Sequence, residues 1–304
     1  MSSSIKAIFA KHVQSLQEEF LQGLLELDPE GTVQRDCWQR SDHKGNPGGG
    51  GDTRVLQGTV IEKAGVNYSQ VFGEVEPGFA KALGSSKTRL WASGVSVIVH
   101  PYNPRVPSFH ANFRMIELGE EIWFGGGADL TPYYPHLEDF RFFHNHWKEN
   151  CEHKEVYEEM KSECDSYFVN KHRGNEMRGV GGIFFDRFNS GDLESDLKMA
   201  MGLASAFPGS YLPIVESRKQ ELYDEEDEEF QLMRRGRYAE FNLLHDRGTA
   251  FGLKTKGRIE SILVSMPPRC TFPYAYAPRP GSPQEEMLKY YWPQDWTTHP
   301  KKVE

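Results

Sequence analysis

The chain has 304 residues, 38% of them hydrophobic and 26% charged, and a formal net charge of −9. That length and mix suit a globular chain with a sizeable core and leave little room for long disordered tracts, except near the C-terminus. The negative balance argues against nucleic acid or an anionic membrane surface as partner, so an anionic ligand would have to be met by cations gathered locally. Cys37, Cys151, Cys164 and Cys270 form no C-x-x-C pair, which argues against a zinc knuckle or a disulfide framework. The opening MSSSIKAIFAKHVQSL has neither a signal-peptide core nor an Arg-rich transit pattern, and no run approaches the roughly 20 apolar residues of a membrane span. A cytoplasmic protein with no membrane span is expected.

Residues 5–27 place Ile5, Ile8, Phe9, Leu16, Phe20, Leu24 and Leu27 mostly three and four apart, which predicts an amphipathic helix capped by Ser4 and broken at Asp28-Pro29. Asn-Pro-Gly-Gly-Gly-Gly at 46–51 predicts a mobile loop. Strands are predicted at 55–60, 66–72, 95–100 and 112–118, close enough together for antiparallel hairpins. A helical block follows over 137–170, interrupted near 151–153. Further strands are predicted at 183–188, 238–244 and 259–265, with helices at 192–207 and 221–235 between them. In the second of these helices, Glu225 to Glu229 precede Arg234 and Arg235; acid first and base last suits a solvated helix. The tail 270–304 is rich in Pro and aromatics, among them Tyr274, Tyr276, Tyr290, Tyr291, Trp292 and Trp296, which should pack on a surface or a partner subunit. Without a repeat or a Pro/Ser-rich linker, 1–304 reads as a single α+β domain: a large, mainly antiparallel sheet with helices on both faces.

Candidate chemistry concentrates in SVIVHPYNPRVPSFHANFRMIELGEEIWFGGGADLTPYYP. His100 ends one predicted strand and His110 opens the next, so a hairpin could bring the two imidazoles close. Within that second strand His110, Asn112 and Arg114 alternate and share a face. Such a face can shuttle protons and grip a carboxylate, or be ordinary polar decoration. Asp129, the acid beside Gly125-Gly126-Gly127, could accept several N–H donors, or simply cap a turn. His144, His146 and His172 add imidazoles without an H-E-x-x-H spacing. Arg178 lies next to Gly179, while Lys256 and Arg258 flank Gly257; each pairing suits an anion or a solubilising turn. No nucleophile elbow, dinucleotide fingerprint, phosphate loop or kinase motif is present. The residues alone point to a small polyanion and acid–base chemistry.

The run GGGADLTPYYP at 125–135 resembles the oxygen-dependent coproporphyrinogen III oxidases. So do GDTRVLQGTVIEKAGVNYSQVFGE, SVIVHPYNPRVPSFHANFR, KHRGNEMRGVGGIFFDRF and RRGRYAEFNLLHDRGTAFGLKTKGRIESILVSMPP, in family order from about residue 50 to 270. The resemblance implies oxidative decarboxylation of the ring A and B propionates of coproporphyrinogen III to vinyl groups, with molecular oxygen as oxidant, no organic cofactor and a homodimer joined near 238–268. It also implies His110 as proton donor, and Asp129 as the group that binds or deprotonates the pyrrole nitrogens. Ser96, Asn112, Phe113, Arg114, Lys256, Gly257 and Arg258 match substrate-binding stretches, and the pocket reading adds Arg178. His100, His110, His144 and His172 match metal ligands of bacterial members, in a family many of whose members are regarded as metal-free. Two departures stand out: KHRGNEMRG is one residue longer than the family pattern, and Arg187 replaces a second acid.

Overall fold

The computed structural model describes residues 2–151, 153–254 and 258–298. In chain order the elements are α1 (Ser2–Leu27), β1 (Thr32–Ser41), β2 (Pro47–Gln57), β3 (Ile61–Glu74), α2 (Pro77–Ala82), β4 (Arg89–Pro101), β5 (Ser108–Leu118), β6 (Glu121–Thr131), α3 (Leu137–Asn150) and α4 (Lys154–Tyr167). There follow β7 (Val169–Asn170), β8 (Glu176–Met177), β9 (Gly182–Phe188), α5 (Leu193–Arg218), α6 (Glu225–Leu244), α7 (Arg247–Lys254), α8 (Ile259–Leu263) and α9 (Pro283–Leu288). The described strands form a seven-stranded sheet, β1-β2-β3-β4-β5-β6-β9, antiparallel throughout, and a small β7-β8 ribbon. The fold is α+β.

Period-two alternation divides the sheet into two unlike faces. Phe109, Ala111, Phe113 and Met115 of β5 are buried on one face, under helices α1, α3 and α5. There Phe109 stacks on Tyr211 at 4.6 Å between centroids and Phe20 meets Phe207 at 5.0 Å. Phe9, Val13, Leu16, Phe20 and Leu24 make the buried stripe of α1, each contributing roughly 1.5–3 kcal/mol of burial. On the opposite face α6, α8 and the segment after α8 cover only part of the sheet. Tyr238 meets His100 edge-on, Ser261 bonds Thr53 at 2.6 Å, and Val264 lies over Gly65. The uncovered part of that face is where the polar residues lie.

Several expectations change. The stretch 46–51 is no loop: Pro47 onward is strand β2, paired to both neighbours. Its glycines answer to crowding, since a Cβ on Gly50 would stand 2.1 Å from the Trp38 carbonyl oxygen. The triple glycine 125–127 likewise lies inside β6, with Asp129, rather than in a turn after it. Residues 238–244 form the second half of α6, and Ile259 begins a short helix. A capping box, Asp224 with Asp227, starts α6, and its apolar face (Phe230, Met233, Tyr238, Phe241) is buried at helical spacing, which overrides the β-leaning aromatics. Nor is α6 merely solvated. Arg234 and Arg235 are buried, paired to Glu176 and Glu62 at 2.5 and 2.6 Å. Helix α5 continues through Pro208 and Pro213 to Arg218, and α1 starts at Ser2 ahead of the expected Ser4 cap. In the tail Tyr291 and Trp296 are fully buried, Trp296 against Phe140 and His144, whereas Tyr274 is fully exposed.

Candidate active site

Register decides which side chains share the open face. In an antiparallel ladder directly paired residues point the same way. The pairs Thr53–Asn67, Asn67–Ser96, Ser96–Asn112 and Asn112–Gly127 thus form one transverse row of hydroxyls and amides. Beside it run Ser69, Gly94, Arg114 and Gly125, and on the other flank Gly65, Ile98, His110 and Asp129. Ser96, Asn112, Arg114 and His110 are half-buried, and the Oδ1 of Asn67 is buried with no hydrogen-bond partner. This is a polar surface floored by backbone.

His110 and Asp129 face each other across β5 and β6, with His110 Nδ1 2.9 Å from Asp129 Oδ1. Nδ1 also lies 3.2 Å from a terminal nitrogen of Arg178, which only donates; the carboxylate, which only accepts, is the nearer partner, and an Nδ1–H donating to Asp129 suits that shorter contact. Beneath them lies Arg178, from the turn after β8. It donates from Nε to Asp129 Oδ2 at 2.8 Å and from a terminal nitrogen to Oδ1 at 2.6 Å, and its other terminal nitrogen reaches Asn242 Oδ1 at 2.7 Å. Its guanidinium lies 4.1 Å from the Phe168 ring centroid and 4.5 Å from that of Tyr238. Burial would raise the Asp129 carboxyl, but the Arg178 charge and the bonds from His110 and Arg178 outweigh it and hold Asp129 below the usual carboxylate range. Asp129 is an ionised, fully engaged group that orients the His110 ring, while His110 is the member with an edge toward the open face; its side chain is 22% exposed against 2% for Asp129.

The remaining expected site residues scatter. Phe113 turns its ring into the core, against Trp147, Phe185 and Phe207. Arg178 is completely buried under Asp129 rather than on the open face. Arg258 caps α8 and pairs with Asp36 of β1 at 3.0 Å, above the far edge of the same face. Lys256 and Gly257 lie outside the described residues. One cation of the face, Arg247, has no place among the residues expected from the sequence. Arg247, at the start of α7, lies over the Tyr167 ring, and both it and Arg114 approach Asp186 of β9, at 3.6 and 3.0 Å. Only the pairing of β6 with β9, invisible in the sequence, brings Asp186 there.

The four histidines matched to metal ligands do not converge. His100 bonds Ser108 Oγ and the Ser265 carbonyl, at 2.9 and 3.0 Å. His144 bonds the Tyr157 hydroxyl and the Val180 carbonyl inside the core, and burial pushes it down to about 3. His172 bonds His245 and Glu240. Both ring nitrogens of His100, His144 and His172 are already occupied, and among the described residues no group of three or more His, Cys, Asp and Glu could hold a metal ion. The hairpin pairs His110 with Ile98, so His100 and His110 serve separate networks.

Fold and site together define an α+β protein that presents a braced acid–base pair beside guanidinium groups on an open sheet face. A family model described as coproporphyrinogen III oxidase matches residues 8–296. The chain belongs to this family, an oxidoreductase family of haem biosynthesis that decarboxylates coproporphyrinogen III oxidatively with molecular oxygen as acceptor.

Proposed function

We propose that His110 handles the proton in this reaction and that Asp129, braced by Arg178, is its positioning partner. The observation that carries this is the chain Arg178–Asp129–His110, which holds the ring by Nδ1 and leaves His110 Nε2 to take up or return a proton at the open face. The macrocycle lies on the row Asn67, Ser96 and Asn112, whose oxygens accept its pyrrole N–H groups, and Arg114 holds a propionate. Arg258 serves the far edge.

Loss of a pyrrole N–H proton to His110 makes the ring electron-rich enough to reduce oxygen. For each propionate the balance is R–CH2–CH2–COO⁻ + O2 + H⁺ → R–CH=CH2 + CO2 + H2O2. The C–COO⁻ bond breaks, one β-hydrogen leaves, and two electrons pass to oxygen. The protein contributes orientation and fixed charge, and the substrate supplies its own electrons, so neither an organic cofactor nor a divalent metal is required. Dispersed, separately engaged histidines support a metal-free site.

We further propose a cytoplasmic homodimer without nucleic-acid partners. Leu243 and Leu244 at the end of α6, Leu253 of α7 and Ile259 of α8 are exposed on consecutive elements, which supports a twofold contact through this region. The four free cysteines support a reducing compartment, and the net charge of −9 opposes a nucleic-acid role.

The test is turnover: coproporphyrinogen III is incubated in air with the protein, and protoporphyrin fluorescence is read after oxidation. His110→Asn should lose about 10²-fold or more in kcat while keeping its melting temperature within a few degrees. Wild-type turnover in that variant removes His110 from the chemistry.

A further inference from the structure

Asp186 reaches the open face by an irregularity in the sheet. Gly126 pairs with Phe185 and Phe124 with Phe188, so Asp186 and Arg187 together oppose the single residue Gly125. Such a bulge re-aims side chains, and here it sends the two in different directions. Asp186 turns to Arg114. Arg187 lies over the Trp123 ring at 4.9 Å and donates to the Leu83 carbonyl. The bulge holds Arg187 at φ 53°, a left-handed backbone that L-residues disfavour. Gly125 leaves the room required, for a Cβ there would stand 3.0 Å from Arg114 Nε and 3.1 Å from Asp186 Oδ1.

The result is a carboxylate between two cations on a partly exposed surface. Arg114 donates to Asp186 Oδ1 at 3.0 Å through one terminal nitrogen, and Arg247 stands 3.6 Å from Oδ2. The grip is incomplete, because Arg114 Nε is buried and has no hydrogen-bond partner. A guanidinium can offer Nε and a terminal nitrogen together as a fork to one carboxylate, whereas Asp186 accepts only one of the two.

We infer that Asp186 is a built-in counter-ion that stands in the place of a substrate propionate between Arg114 and Arg247 and is displaced by it. The inference rests on the reading of Arg114 as a propionate ligand. With the site empty, Asp186 keeps two like charges together and oriented. A substrate propionate wins the position by taking the whole Arg114 fork. A vinyl group, having no charge, cannot hold it, so Asp186 returns when the carboxylate is gone and the site discriminates substrate from product.

The test is a KM-against-kcat comparison with coproporphyrinogen III for Asp186→Asn, Asp186→Ser, Arg114→Gln and the double variant Asp186→Asn/Arg114→Gln, each with its melting temperature. Removing the competing charge should lower KM three- to tenfold in both Asp186 variants without raising kcat, and the decrease should vanish when Arg114 is absent. A purely structural role would raise KM instead. Unchanged or raised KM in both Asp186 variants, with Arg114→Gln still raising KM, overturns the inference alone. An unchanged KM in Arg114→Gln removes the propionate reading and the inference with it.

Discussion

Arg178 and Asp129 meet side-on, both carboxylate oxygens matched to Nε and one terminal guanidinium nitrogen at 2.8 and 2.6 Å, with side-chain exposure of 2% on each partner. A buried pair of this kind is more informative about what happens when one partner is lost than about net stabilisation, because each charge is tolerable only while the other remains. Asp129→Asn keeps the shape but leaves Arg178 charged and buried. It should cost about 3–5 kcal/mol of stability and lower kcat by about 10²–10⁴-fold through the lost His110 orientation. Adding Arg178→Met should recover part of the stability and none of the turnover. Urea unfolding and turnover on the same preparations check both; a double variant no more stable than Asp129→Asn would contradict the pairing argument.

The pH dependence of stability follows from the buried histidines. Burial first, then the Lys161 charge, pushes His144 down to about 3, and burial with Arg235 pushes His100 well below its ordinary value. Both are neutral when folded, whereas the unfolded chain protonates them near pH 6.5. Their full contribution is therefore present above about pH 6.5 and is lost as pH falls toward the folded values, by up to about 1.4 kcal/mol per pH unit for each histidine. Unfolding free energies between pH 8 and 5 should show this slope, and His144→Gln should flatten it by about one proton. An unaltered slope in that variant would place the proton uptake elsewhere.

Chelation offers a third test. Each of His100, His144 and His172 spends both ring nitrogens on its own partners, so prolonged treatment with a strong chelator should leave turnover within about twofold of the untreated enzyme. Activity lost and then restored by one divalent metal would reverse the assignment.

The exposed leucines make a fourth. Leu244→Asp, at a side chain outside the core, should leave the melting temperature of the fold nearly unchanged and shift the mass seen by light scattering at micromolar concentration from dimer to monomer. A wild-type mass in that variant moves the contact to another surface.

Short-range features were legible. The 3.6-residue period of α1, the division of the helical block into one helix ending at Asn150 and another starting at Lys154, and the alternation His110, Asn112, Arg114 are local patterns, and the structure contains each of them. Others misled because long-range packing outweighs local preference. The glycines at 48–51 read as a loop, yet they belong to a strand squeezed between neighbours. Arg234 and Arg235 read as a solvated helix end, yet they are buried because Glu176 and Glu62, from distant strands, neutralise them.

By itself the amino-acid sequence determined the family, the α+β class and the identity of the chemically able side chains, because residue types, spacings and ordered motifs are local properties of the chain. Only the tertiary structure decided which of them act together. It put Arg178 beneath Asp129, His110 at the open edge, Asp186 between two arginines, and the four histidines in separate networks. Those relations depend on strand register, a bulge and side-chain burial, which arise from contacts between residues far apart in the chain.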